Sequence, residues 1–180
     1  MLSGATSFGL HGIEARVVDI EVDIIKGLPS FTIVGLPDST IRESKDRIRS
    51  AIQNSGFNFP PKNFIVNLAP AGFKKQGANF DLPIAISILH STGQTDIDPG
   101  LMPMVGELTL DGTVKPIKGI ISMIITLYKK GFKSVVIPYD NRYEASAINE
   151  LKIFPVKNIN EAISAFEGEV PIFNEKFKRI

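Results

Sequence analysis

Across residues 12–29 apolar and polar positions alternate: Val18, Ile20, Val22 and Ile24 fall on one side of an extended chain, Asp19, Glu21 and Asp23 on the other. Successive side chains of a strand point to opposite faces, so this stretch is expected to be a half-buried strand. SFTIVGLP reads as a second strand, stopped by Gly35 and Pro37, and NFIVNLA as a third. In DSTIRESKDRIRSAIQNSG the period changes. Ile41, Ile48 and Ile52 recur at helical spacing, Asp38 or Ser39 can cap the start, and Gly56 lies just past the end. On that helix Glu43 and Arg47, like Arg42 and Asp46, stand four apart and are expected to pair.

In FDLPIAISILHSTG, Asp81 is the expected N-cap and Pro83 falls in the first turn, where its missing N–H is harmless. Leu82, Ile84, Ile86, Ile88 and Leu89 surround the axis, which predicts a helix buried on most sides. MVGELTLDGTVKPI reads as a hairpin turning at Asp111-Gly112. A helix over residues 119–130, a strand SVVIP, a short helix RYEASAINE, a strand KIFPV and a helix NINEAISAFEG follow. No internal repeat is present. Strands first, then alternating helix and strand, indicate an α+β or mixed α/β fold with a mixed sheet.

Composition narrows the function more than the fold. At 180 residues and 43% hydrophobic the chain is long enough for one core. Twenty Lys and Arg against 19 Asp and Glu leave a net charge of +1, so no global field recruits nucleic acid or an acidic membrane. Any such contact must come from a local patch. The absence of Cys removes disulfides, thiolate metal sites and cysteine nucleophiles. The N-terminal stretch carries no basic region ahead of an apolar run, and no segment approaches a membrane span, so a cytoplasmic protein with no membrane partner is expected. GEVPIFNEKFKRI reads as the beginning of a linker.

Three stretches carry candidate chemistry. AGFKKQGANFD brackets Lys74 and Lys75 between Gly72 and Gly77 ahead of a helix, but Ala78 and Asn79 stand where a phosphate-binding loop needs Lys and Ser or Thr. Asp81 would also repel an anion there. The carboxylates Asp19, Glu21 and Asp23 share a strand face and are read as a solvated face rather than a cation site; His11 and His90 lack partners at ligand spacing, so no metal is expected. Arg42, Lys45 and Arg49 form a cationic stripe opposite the isoleucines, and Lys74 and Lys75 add a mobile basic loop. Against phosphate contact stands the plainer reading of a solvated face with internal ion pairs.

MVGELTLDGTVKPIKGI resembles the segment of Lon-type proteolytic domains in which Gly106, Glu107, Leu108, Thr109, Leu110, Gly112, Val114, Pro116, Ile117 and Gly119 fit. GLPSFTIVGLPDSTIRESKDRIRSAIQNSGFNFP and NLAPAGFKKQGANFDLPIAI resemble a narrower group, the ComM/YifB family, often labelled magnesium-chelatase-like. The likeness runs from about residue 9 to 168. It implies a fold shared with the Lon proteolytic domain and with the second domain of a small-subunit ribosomal protein. It further implies an N-terminal Lon-like domain at 1–168, with 169–180 starting a linker toward an AAA+ ATPase module that would use ATP and Mg²⁺. In the ComM branch that ATPase is understood as a hexameric DNA helicase driving branch migration.

The resemblance also tests peptidase activity. In Lon-type peptidases a Ser ahead of the buried helix is the nucleophile, and a Lys after the P-I-x-G stretch takes its proton. Alignment places Asn79 at the serine and Ile121 at the lysine. An amide is not acylated as a hydroxyl is, and isoleucine accepts no proton. A shift of alignment brings Lys118 or Ser122 near, but the loop around Asn79 holds no Ser or Thr. The expectation is therefore a domain silent in catalysis by itself, acting in homo-oligomer assembly and DNA contact through Arg42, Lys45, Arg49, Lys74 and Lys75. The alternatives are a divergent serine peptidase and a purely structural assembly domain.

Overall fold

The computed structural model describes residues 2–175. Its main sheet runs in the order β1 (Ser3–His11), β2 (Glu14–Ile25), β4 (Asn63–Ala69), β3 (Ser30–Val34). The pairs β1–β2 and β2–β4 are antiparallel and β3–β4 is parallel, so the sheet is mixed. The register opposes Ile20 to Leu68 and Val22 to Val66, which puts the alternating apolar set of both strands on one face. Val18, Ile20, Val22, Phe64, Val66 and Leu68 are all fully buried there. Asp19 and Glu21 point the other way and are exposed.

Strand β1 is not announced by apolar alternation. The buried side chains along its first half are Ser3, Ala5 and Ser7, too small to stand out as a hydrophobic face. Its pairing with β2 supplies the order that its composition does not.

Two helices cover the inner face. In α1 (Ser39–Asn54) the Asp38 carboxylate accepts from the Ile41 N–H at 2.9 Å, which makes Asp38, of the two candidates Asp38 and Ser39, the cap. Its stripe Ile41, Ile48, Ala51, Ile52 is buried in the main core, each isoleucine contributing roughly 1.5–3 kcal/mol. The expected surface pairing of Glu43 with Arg47 gives way to a tertiary one: Arg47 turns to Asp81, in the only ion pair among the described residues. Burial explains the preference, because an exposed helical pair gains only about 0.2–0.5 kcal/mol. Helix α2 (Asp81–Ser91) is buried at every position but His90. Its N-cap is Phe80, not Asp81, whose carboxylate is instead taken by Arg47 and by the Leu108 N–H.

The hairpin β5 (Glu107–Leu108) and β6 (Val114–Lys115) turns at Asp111-Gly112 as predicted. Helix α3 (Ile120–Lys129), the parallel pair β7 (Ser134–Pro138) and β8 (Lys152–Val156), and the short α4 (Arg142–Ala145) build a second core with Phe8. The final α5 (Ile159–Phe166) is capped by Asn158 and packs on the main core. The two cores are stitched by one extended segment. Met104 N–H donates to the Thr6 carbonyl of β1, while Val136 of β7 exchanges hydrogen bonds with Pro103 and Val105.

Beyond α5 the chain returns to the domain. Phe173 N–H donates to the Ile153 carbonyl at 2.9 Å, and its ring packs edge-on against Tyr143 and onto the second core. The stretch read as a linker start thus contributes a core-packing residue, which its mixed charge concealed; residues 176–180 of that stretch lie outside the described residues. Among the described residues no helix is long and apolar enough to cross a membrane.

Candidate functional site

The loop between β4 and α2 is pinned from both ends. Lys75 forms a parallel bridge with Pro37, its N–H donating to the Leu36 carbonyl and its carbonyl accepting from the Asp38 N–H. The Gly77 N–H donates to the second carboxylate oxygen of Asp38, so one aspartate caps α1 and fastens the loop. The neighbouring turn needs its glycine: Gly35 has φ +100°, and a Cβ there would sit 2.1 Å from the Leu68 carbonyl oxygen.

Lys75 is not the mobile surface cation expected from the sequence. Its side chain is fully buried, and its ammonium donates to the carbonyls of Gly35, at 2.8 Å, and Pro70. Burial lowers its pKa from the usual lysine value. The physical reason is that two inward-facing carbonyls need a donor, and the Phe73 ring, 4.8 Å from the ammonium, favours a cation. Lys74 next to it is exposed. Phe73 also meets Arg16, at 5.3 Å, and the His11 ring, at 5.9 Å, so this ring anchors the loop to the β1–β2 hairpin.

Asn79 sits at the end of the loop with 9% of its surface exposed. Its carboxamide N–H donates to the Phe8 carbonyl of β1, and its backbone carbonyl accepts from Gly106 N–H at 3.0 Å. The side chain is thereby spent on holding β1, while the backbone holds the approach to β5. Ile121 lies on the outer side of α3, where Ile121, Ile125 and Tyr128 form an exposed apolar row. Lys118 is exposed ahead of the helix and Ser122 is half-buried within it.

On α1, Arg42 and Arg49 are exposed and Lys45 is half-buried. None of the three has an ion-pair partner among the described residues. Arg49 lies over the Phe59 ring at 5.2 Å, a contact that sequence spacing does not show because it spans the α1–β4 connection. Arg47, on the same helix, is withdrawn from the surface set by Asp81. Asp81 is 1% exposed, and burial, only partly offset by the Arg47 and Leu108 hydrogen bonds, raises its pKa from 3.8 to about 6.

The remaining candidates separate. Asp19, Glu21 and Asp23 lie along the open sheet face, Glu21 accepting from the Asn67 amide at 3.2 Å and Asp23 from the Ile24 N–H. His90 shares a hydrogen bond with Ser3, while His11 packs on Phe73. Among the described residues no three His, Cys, Asp or Glu gather where they could hold a metal ion.

Residues 20–141 match the family described as subunit ChlI of Mg-chelatase. The chain is 36% identical over 170 residues to competence protein ComM of Haemophilus influenzae, covering 93% of this chain and 33% of that protein. It is 42% identical over 159 residues to YifB of Escherichia coli, covering 88% and 31%. It is 29% identical over 160 residues to a Lon protease of Aster yellows witches'-broom phytoplasma, covering 82% and 20%. The chain thus spans about a third of the length of its ComM and YifB relatives. The chain belongs to the family described as subunit ChlI of Mg-chelatase, in the ComM/YifB group.

Proposed function

We propose that this chain is a non-catalytic Lon-like domain that serves a ComM/YifB-type AAA+ ATPase in the cytoplasm by helping assemble its homo-oligomer, a hexamer, and by touching DNA. The rest of such a protein would use ATP and Mg²⁺ to act as a DNA helicase driving branch migration. The residues present here do not fit a nucleoside triphosphate: Ala78 and Asn79 stand where a phosphate-binding loop needs Lys and Ser or Thr, and the buried Asp81 in the first turn of α2 would repel an anion there.

The observation that supports a non-catalytic role is the state of Asn79. At the position of a Lon nucleophile, its amide is buried and donates to a strand carbonyl, and Ile121 offers no base. DNA contact is assigned to Arg42, Lys45, Arg49 and Lys74, as phosphate contacts without sequence readout. Incubation with an unfolded protein and a serine-reactive probe should give neither cleavage nor labelling, while a gel-shift titration with single-stranded and duplex DNA should give a salt-sensitive complex. Labelling would favour the divergent peptidase, and an absent shift would remove the DNA role.

A second reading, assembly alone, rests on α3. Its outward row Ile121, Ile125, Tyr128 is apolar and 41–49% exposed, a surface that another subunit would dry. Sizing the chain alone and within a full-length relative separates assembly from DNA contact.

A further inference from the structure

At the far end of the α1 stripe from the pinned loop, the chain leaves the helix and folds into a cleft of about 420 Å³. Pro29, Ser30, Phe59, Pro60 and Pro61 line it, together with Arg49 and Lys62. The walls are fixed. Ser30 N–H donates to the Lys62 carbonyl, Lys62 N–H turns back to the Pro60 carbonyl at 2.8 Å, and two consecutive prolines stiffen the turn.

The Phe59 ring is held as firmly as a core residue. It packs against Phe31 at 5.8 Å and Phe64 at 5.2 Å, both buried, while remaining half-buried itself and lining the cleft. Arg49 lies over the ring at 5.2 Å, adding a planar cation to the aromatic surface. The lining is mostly apolar and its charges are both positive. Neither Arg49 nor Lys62 has a carboxylate partner among the described residues.

A firmly held aromatic ring, a guanidinium plane and the Lys62 ammonium suit one planar, apolar-faced group carried on a polyanion. We propose that this cleft receives an unstacked base of single-stranded DNA, the phosphates on one side of that base following Lys45 and Arg42 along α1. An uncharged peptide would leave the α1 stripe unused, and duplex DNA keeps its bases inside the helix. The inference rests on the DNA role proposed above and adds strand state and a base-stacking position to it. Because every base has a stackable face, the site discriminates single strand from duplex without reading sequence.

The test is fluorescence anisotropy on the 180-residue chain with three probes of equal length: oligo(dT), an abasic strand and a duplex. Oligo(dT) should bind about tenfold tighter than the abasic strand, the range expected for one stacked base. Phe59→Leu keeps an apolar side chain against Phe31 and Phe64, and should bring oligo(dT) affinity down to that of the abasic strand. Arg42→Gln should weaken binding to both strands alike. Equal wild-type affinity for oligo(dT) and the abasic strand overturns this inference, a result that needs no variant to fold, and leaves the DNA role standing. Failure of all three probes to bind overturns the DNA role and the inference with it.

Discussion

Arg47 Nε lies 3.1 Å from Asp81 Oδ2, joining the middle of α1 to the first turn of α2 across the main core. The same carboxylate accepts from Leu108 N–H, so three elements meet on one buried charge. Burial of that charge outweighs its partners and raises the Asp81 pKa to about 6.

A raised carboxyl pKa means the folded state binds the proton more tightly than the unfolded chain. The native state therefore loses stability as pH rises from about 4 to about 6, and the shift corresponds to about 3 kcal/mol. Asp81→Asn mimics the neutral carboxyl at every pH. The stability advantage of the wild type over this variant should shrink by up to that amount between pH 4 and pH 7. Urea titrations across the range measure it, and an advantage that is constant or grows with pH would refute the assignment.

The two adjacent lysines of the loop should behave oppositely. Lys75→Met leaves the Gly35 and Pro70 carbonyls without their donor and should cost about 2–4 kcal/mol in stability. Lys74→Ala removes an exposed side chain and should stay within about 0.5 kcal/mol of wild type while weakening DNA binding. Chemical denaturation and gel shift on both variants check the contrast.

Replacing Arg42, Lys45 and Arg49 together with Gln should reduce the slope of log affinity against log salt by up to about 3, since each duplex phosphate contact contributes about 0.9. An unchanged slope would remove α1 from the DNA surface.

A hydroxyl placed at Asn79, the position proposed to correspond to the Lon nucleophile, should not confer peptidase chemistry. Asn79→Ser shortens the side chain that reaches the Phe8 carbonyl and should cost about 1–3 kcal/mol. A fluorophosphonate probe should leave it unlabelled, because Ile121 supplies no base. Labelling comparable to a serine peptidase would contradict the role given to Asn79.

Gly35→Ala should fail to fold or lose more than about 3 kcal/mol, since its Cβ would meet the Leu68 carbonyl carbon and oxygen at 2.9 and 2.1 Å. Soluble yield and thermal melting report the outcome.

The elements with strong periodicity were legible in the chain. The alternation of β2, the isoleucines of α1 and the Asp111-Gly112 turn each state their structure locally, as does the cap at Asp38. Strand β1 was not legible, because its inward positions are largely serine and alanine and its order comes from its neighbour. The fates of Arg47, Lys75 and Asp81 were equally hidden. Each depends on a partner more than 30 residues away, or on carbonyls that only the folded turn brings together. Spacing rules see helix neighbours four apart and miss tertiary competitors. The candidate site was therefore half legible: the exposed Arg42, Arg49 and Lys74 follow from the pattern, whereas the cleft at Phe59 exists only once two connections converge on α1.

The segment through Met104 has a mechanical consequence. Since its backbone binds β1 on one side and β7 on the other, neither core can open without breaking a strand that belongs to both. The molecule should melt in one transition, with the Met104 amide exchanging its hydrogen as slowly as the innermost amides of β2. Load applied to β8 would pass through β7 and Met104 into the central sheet, making the domain a single stiff lever rather than two hinged halves.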